Sequence, residues 1–295
     1  MTIVVGHPPH KDDRSALQLA ATLARSSGQD LRVVTVVPPP WPTPVAGGPD
    51  KEFARWSREQ GEAATAQARA ALAELCADLR SEVVTVAASS AAATLIEQAE
   101  QHGGSIVVVG SASHGAWGTV VVGSTADRLL HSSTVPVAVA TRGHRAETAT
   151  RVLRATCAFR GDAASRAVLA RTAAICRDVG ASLRVATFAV RGRTMYPPEV
   201  LGEKQVMEAY VARTAADQEQ AVAELGDLAP ADVRTAVATG ATWTEALEQL
   251  EWDRGDVLVV GSSVAGLVSR LFLGSNATRI VRHSPVPVVV VPRGA

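Results

Sequence analysis

Large rings are scarce in this chain, with five Trp, four Phe and two Tyr among 295 residues, and cysteine is scarcer still, with three. So few aromatics poorly fill a two-sheet sandwich, whereas abundant Ala and Val suit close contact between helices and a sheet. Cys76, Cys157 and Cys176 are widely separated and form no C-x-x-C pair. That spacing suggests neither a disulfide framework nor a zinc site and leaves them as small core hydrophobes. Net charge is lacking too, because 29 basic side chains cancel 29 acidic ones. No overall field then draws nucleic acid or an anionic membrane to the surface, and neither is expected as a partner. The apolar runs, such as Val286 to Pro292, fall far short of the roughly 20 residues that a bilayer helix needs. The opening stretch Met1 to Gly6 lacks the basic start and long apolar core of a signal peptide. A soluble, cytoplasmic protein is expected.

What the chain does have is a copy of itself. With a constant offset, sixteen of the 39 positions in Ser105–Gly143 are identical to those in Asp256–Gly294. Among them are Val108-Val109-Gly110-Ser111 with Val259-Val260-Gly261-Ser262, Gly123-Ser124 with Gly274-Ser275, and Val135-Pro136-Val137 with Val286-Pro287-Val288. One residue more of offset aligns Leu17 with Leu169, Gly28 with Gly180, and Leu31-Arg32-Val33 with Leu183-Arg184-Val185. A period of that length is a whole domain rather than a solenoid unit. Two domains are expected, 1–143 and 151–295, joined by a polar linker at 144–150.

Each half alternates β-branched runs with helical periodicity. In the first, Ile3–Val5, Leu31–Val37, Glu82–Ala87, Ser105–Val109 and Val135–Ala140 read as strands. Between them, Asp13–Ser27, Lys51–Leu79, Ala91–Gln101 and Gly123–His131 read as helices, and the Pro- and Gly-rich Trp41–Asp50 as a loop. The second half repeats the order, with strands near 151–158, 183–189, 232–237, 256–260 and 287–291 and a long helix near 198–225. Such alternation implies parallel strands joined by right-handed crossovers. The expected fold class is α/β, two tandem doubly wound parallel sheets of five strands each. Pro136 and Pro287 suggest that the last strand of each half is an edge.

Ligands of open α/β sheets sit beyond the carboxyl ends of the strands, so the loop after the fourth strand is the first candidate site. That loop runs from Gly110 to Gly123 in one half and from Gly261 to Gly274 in the other. Each opens on Gly-Ser (Gly110-Ser111, Gly261-Ser262), has an inner glycine (Gly115, Gly266) and closes on Gly-Ser (Gly123-Ser124, Gly274-Ser275) before a helix. Glycines admit positive φ and close approach of backbone to ligand, and the free amides at a helix start attract an anion such as a phosphate. Ser124 and Ser275 would add a hydroxyl donor, or else cap their helices. His114 lies in the first loop only. His7 and His10 flank Pro8-Pro9 and read as solvated loop residues, since no third metal ligand is evident. No G-x-x-x-x-G-K-[ST] occurs, no G-x-G-x-x-G follows the first strand and no G-x-S-x-G elbow is present.

These loops and their flanks resemble those of the universal stress protein family in its tandem-domain form, over almost the entire chain. The nucleotide-binding branch of that family has Gly, two residues, Gly, nine residues, then Gly-Ser or Gly-Thr. Gly110 with Gly123-Ser124 and Gly261 with Gly274-Ser275 match the outer spacing, while the inner glycine falls on Ser113 and Val264. The acidic residue that the family's ATP binders carry after the first strand falls on Pro8 and Arg160, and Arg160 offers a cation to a phosphate instead. The resemblance implies a Rossmann-like fold of the adenine-nucleotide α-hydrolase kind, with ATP or ADP, carrying magnesium, as ligand. Adenine would then lie near Val36 and Phe188. It also implies pairing of the last strands across a two-fold axis, here within one chain as an intramolecular pseudo-dimer. Association of two chains as a homodimer is not written in the sequence.

With no acid and base assigned, a stress-response binding or regulatory module acting on protein partners is expected rather than an enzyme. Two other readings stand beside it: a degenerate tandem that binds no nucleotide and works through protein contacts, and a slow ATPase.

Overall fold

A computed structural model describes residues 1–9, 13–39, 48–112, 116–147, 150–190, 203–262 and 273–292. The first half runs β1 (Thr2–Gly6), α1 (Ser15–Ser27), β2 (Asp30–Val37), α2 (Gly48–Leu75), β3 (Ser81–Ala87), α3 (Ala91–Gln101), β4 (Gly104–Val109), α4 (Ser124–Ser132) and β5 (Val137–Val139). The second runs β6 (Arg154–Ala158), α5 (Ala163–Val179), β7 (Ser182–Val190), α6 (Glu203–Ala223), β8 (Val233–Gly240), α7 (Trp243–Glu248), β9 (Asp256–Gly261), α8 (Ser275–His283) and β10 (Val288–Val291). Local chemistry sets several boundaries twice over. Gly28 and Gly180 end α1 and α5 in the left-handed region, with φ of 67° and 72°, where only glycine is unstrained. Ser90 and Thr242 cap α3 and α7 by accepting from the Ala93 and Glu245 amides.

Helix α2 starts at Gly48, inside the stretch expected as loop to Asp50. A proline in the first turn gives up an N–H that has no partner within the helix, so Pro49 is tolerated there. The helix stops at Leu75, four residues short of the expected end, where the Leu79 amide turns back to the Cys76 carbonyl.

The strands form one ten-stranded sheet in the order β3-β2-β1-β4-β5-β10-β9-β6-β7-β8. All pairings within each half are parallel. The halves meet antiparallel, with Val137 opposite Val290, Ala138 opposite Val289 and Val139 opposite Val288. Two copies related by a two-fold must pair the same strand antiparallel to itself, the geometry of an isologous interface. The expectation of edge strands at Pro136 and Pro287 is therefore corrected: β5 and β10 are central, and the edges are β3 and β8. Each proline stands one residue before its strand, so the ladder asks for no N–H from it. Their carbonyls accept from the Val107 and Leu258 amides at 2.9 Å. Just upstream, the buried hydroxyls of Ser133 and Ser284 donate to the Val135 and Val286 carbonyls, at 2.7 Å each, in a duplicated turn.

One apolar cluster spans the seam and draws on both halves, with Leu95, Leu129, Val137 and Val139 meeting Leu247, Leu258, Val288 and Val290. Separate clusters lie under α1 with α2 and under α5 with α6. Of the expected linker, residues 144–147 lie back along the first half. The Ala146 amide donates to Gln18 Oε1 at 2.6 Å, and Val152, just beyond, donates to Ser26 Oγ at 2.8 Å. No helix among the described residues is long and apolar enough to cross a membrane.

Since Val288 is fully buried at the seam and Val84 only partly buried at an edge, Val288→Ala should cost about 2 kcal/mol, two buried carbons and the space they leave. Val84→Ala should cost about half that, and urea unfolding compares the two. Burial pushes the thiols of Cys76, Cys157 and Cys176 up to about 11, about 12 and about 11. All three are expected to resist a thiol reagent until urea unfolds the chain, and rapid labelling of the native protein would contradict their placement.

Candidate functional site

Each half holds a cavity beyond the carboxyl ends of its strands, of 350 Å³ in the first and 390 Å³ in the second. Both volumes fall within the range of small-molecule sites. The expected site residues gather there. Val36, Gly110, Ser111, Gly123 and Ser124 line the first cavity, and Arg160, Gly261, Ser262, Gly274 and Ser275 the second. Ser113, His114, Gly115, Val264 and Gly266, like His10, lie outside the described residues.

The glycines work differently from the expectation. Gly110, Gly123, Gly261 and Gly274 are not in the left-handed region. At Gly261 the value is the missing side chain, whereas a Cβ on Gly110 would meet only ordinary contacts. A Cβ on Gly261 would come within 2.9 Å of Val168 Cγ2 on α5. Gly123 and Gly274 are the N-caps of α4 and α8, extended at φ −85° and −67°, and neither helix start has a side-chain cap. Ser124 and Ser275 are thus first helical residues and not caps. Elsewhere, Asp13, Ser90, Asp162 and Thr242 each accept an amide hydrogen bond at the start of a helix. The two helices that follow the glycine loops leave their first amides to the cavity without a side-chain cap.

Ser111 faces the first cavity, but its buried hydroxyl is committed to the loop itself. It donates to the Ala140 carbonyl at 2.8 Å and accepts from the Val121 amide at 3.1 Å. The loop's outgoing limb is tied to the residues after β5 in the same way. Gly118 N–H donates to the Arg142 carbonyl, Arg142 N–H to the Thr119 carbonyl, both at 2.9 Å, and the Arg142 guanidinium lies over the Trp117 ring.

Three groups in these cavities were missed or misread from the sequence. Pro8 and Arg160 stand where a carboxylate was expected, yet each cavity has one nearby, Asp13 and Asp162. Asp13 is held by the Ser15 amide at 2.9 Å and by its hydroxyl. Asp162 accepts from Ser165 N–H at 2.8 Å and pairs with Arg160. Burial raises the Asp162 carboxyl, but the Ser165 amide and Arg160 outweigh it and hold it below the ordinary range. The pattern of Asp shortly before Ser at a helix start was the available signal. Arg160, expected to be free for a phosphate, is shared with that carboxylate.

His7 is the third. Expected to be solvated, it is 3% exposed because its amide donates to the Val34 carbonyl at 2.9 Å and prolongs the β1–β2 pairing. Its Nε2 is buried without a hydrogen-bond partner and the residue lines the first cavity. The equivalent residue of the second half is Phe159, whose amide makes the same bond to Ala186 at 2.8 Å. Among the described residues no group of three or more His, Cys, Asp or Glu side chains is arranged to hold a metal ion.

This architecture has known counterparts. The model of the universal stress protein family matches residues 1–141 and 153–292, and the chain belongs to that family. It is 40% identical over 294 residues to Universal stress protein Rv2319c from Mycobacterium tuberculosis (strain ATCC 25618 / H37Rv), covering 99% of this chain and 100% of that protein. The same figures hold for Universal stress protein Mb2346c from Mycobacterium bovis (strain ATCC BAA-935 / AF2122/97). Among solved structures, a universal stress protein from Archaeoglobus fulgidus DSM 4304 matches with a TM-score of 0.66 at 19% identity, over 99% of this chain and 98% of that one.

Burial lowers the pKa of His7 below its usual 6.5. It does the same to His144, against the pull of Asp13. Both imidazoles then stay neutral in the fold below the pH at which the unfolded chain protonates them. The unfolded state binds more protons, so stability falls as pH drops through about 6.5. Urea midpoints should decline from about pH 7.5 to about pH 5.5, and His7→Phe should flatten part of the decline. An unchanged slope in that variant would show that His7 titrates freely.

Proposed function

We propose that this universal stress protein is a stress-response regulatory module whose glycine-loop cavities hold an adenine nucleotide, with the phosphates at the α4 and α8 amides. The observation that carries the reading is the start of those two helices, which has no side-chain cap in either half and opens on a cavity of ligand size. Amides with no intrahelical partner, at the positive end of a helix dipole, favour a multiply charged anion. The close approach of backbone allowed by the glycines supplies the rest. A nucleotide-borne magnesium needs few protein ligands because phosphate oxygens and water fill most of its shell. Asp13 suits that role. Asp162 suits it less well, being paired with Arg160.

The module binds and does not catalyse. Phosphoryl transfer needs a water-orienting group beside the phosphate, and among the described residues the carboxylate that borders each cavity, Asp13 or Asp162, is already engaged at the start of a helix. In this reading the signal passes through the first loop. Its outgoing limb is bonded to Arg142, and Ala146, four residues on, is bonded to Gln18 of α1. Occupancy thereby alters the surface offered to a protein partner.

Titration calorimetry of the nucleotide-stripped protein is expected to give a binding heat with ATP or ADP, and a flat trace at millimolar ligand rejects the proposal. Gly123→Asp and Gly274→Asp sharpen the test. Each supplies the missing cap, which offsets the 3.3 Å contact of a new Cβ at Gly123 with Ala112 Cβ, so stability should change by no more than about 1 kcal/mol. Each carboxylate also occupies the phosphate position, so affinity should fall about tenfold or more in its own half. Unchanged affinity in the double variant would remove the helix starts from the site.

A further inference from the structure

The two cavities share a backbone but not a lining. Phe159, Phe188, Tyr210 and Trp243 all border the second, a large share of the few rings in the chain. No Phe, Tyr or Trp is among the described residues that border the first. The difference sits at equivalent backbone positions. Val36 pairs with Val86 near the end of β2, and Phe188 pairs with Ala238 at the matching place in β7. Ala91 is the first residue of α3 after its Ser90 cap, and Trp243 the first residue of α7 after its Thr242 cap. The duplicated scaffold therefore carries Val and Ala in one copy where it carries Phe and Trp in the other.

Phe188 and Trp243 are each partly buried and packed against the seam cluster, which anchors the rings while they line the open cavity. The ring pair found among the described residues is Phe53 with Trp56, so Phe188 and Trp243 do not stack on each other. Rings held by a core and bordering an open cavity form a platform for a flat ligand. The uncapped start of α8 and the Arg160 guanidinium border the same cavity and suit a negative group. The first cavity instead offers the unpartnered Nε2 of His7 and the carboxylate of Asp13.

We infer that the second-half cavity is the chain's site for a planar aromatic ring, with Trp243 and Phe188 as its specificity-determining residues, and that the first-half cavity binds the same ligand far more weakly. The naming of that ligand as a nucleotide rests on the proposed function above, whereas the ring platform does not. A nucleotide thus loads the two halves unequally.

Three probes on the full-length chain test this: ATP, adenosine as the ring without phosphate, and pyrophosphate as the charge without ring. ATP calorimetry should resolve two classes of site at least about tenfold apart. Trp243→Leu keeps an apolar contact with the core and removes the flat face. It should weaken the tighter site about tenfold or more, and Trp243→Tyr should recover most of the loss. Adenosine should quench tryptophan fluorescence in the wild type and not in Trp243→Tyr, and pyrophosphate should quench neither. Importing the pair as Val36→Phe with Ala91→Trp should tighten the weaker site. Two equal ATP sites, or a tight site indifferent to Trp243→Leu, overturn the inference and leave the nucleotide reading standing. Quenching by adenosine with no heat from ATP keeps the platform and discards the nucleotide reading. Silence from both discards both.

Discussion

Three residue pairs of one strand ladder join the sheets of the two halves, and the placement of the sites follows from how they meet. Val137, Ala138 and Val139 of β5 lie antiparallel to Val290, Val289 and Val288 of β10. Each half alone would end in a short apolar strand with one side unpaired, a template for unwanted association. Pairing the two removes both edges and turns ten strands into one sheet. The edges that remain, β3 and β8, carry exposed charged residues such as Glu82 and Arg234, which discourage further strand addition. The seam also closes a core that neither half completes alone, since Leu129 and Leu258 belong to one buried cluster.

The seam also governs the sites. The glycine loops leave β4 and β9, which flank the central pair, and each returns through α4 or α8 into β5 or β10. Both loops are thus rooted in the most deeply buried part of the sheet. A loop fixed at both ends can leave helix amides uncapped because the strands, not the cap, hold the helix start in place. The cost of those open amides is met by water or by an anion. The Ser111 hydroxyl serves this rooting by bridging the loop to the Ala140 carbonyl. The polar chemistry of the loop is thus divided, with side-chain hydroxyl inward and helix amides outward.

Duplication gave this family member two copies of one frame, and the copies have diverged where a ligand would feel it. The Ser90 and Thr242 caps, the Ser133 and Ser284 turns and the C-terminal glycines of α1 and α5 are retained in both. Each of these satisfies a backbone group or relieves strain, and losing one would cost stability wherever it occurred. His7 against Phe159, Val36 against Phe188 and Ala91 against Trp243 satisfy no backbone group. They line cavities, where side chains are free to change, and there they have changed.

Much of this could be read from the residues in order. The alternation of Ile3–Val5, Leu31–Val37 and their successors with helical spacing, and the copy displaced by a domain's length, were enough for the strands, most helix bounds and the loops after β4 and β9. Those features are local, since strand and helix periodicity and the turn role of glycine depend on near neighbours. Prolines 136 and 287 pointed the wrong way because an edge and the last residue before a ladder both dispense with an N–H, and sequence separates the two poorly. The burial of His7 and the meeting of four scattered rings in one half were invisible along the chain. They join residues tens of positions apart, and contacts of that range exist only once parallel strands have brought the ends of β1, β2, β4 and their copies side by side.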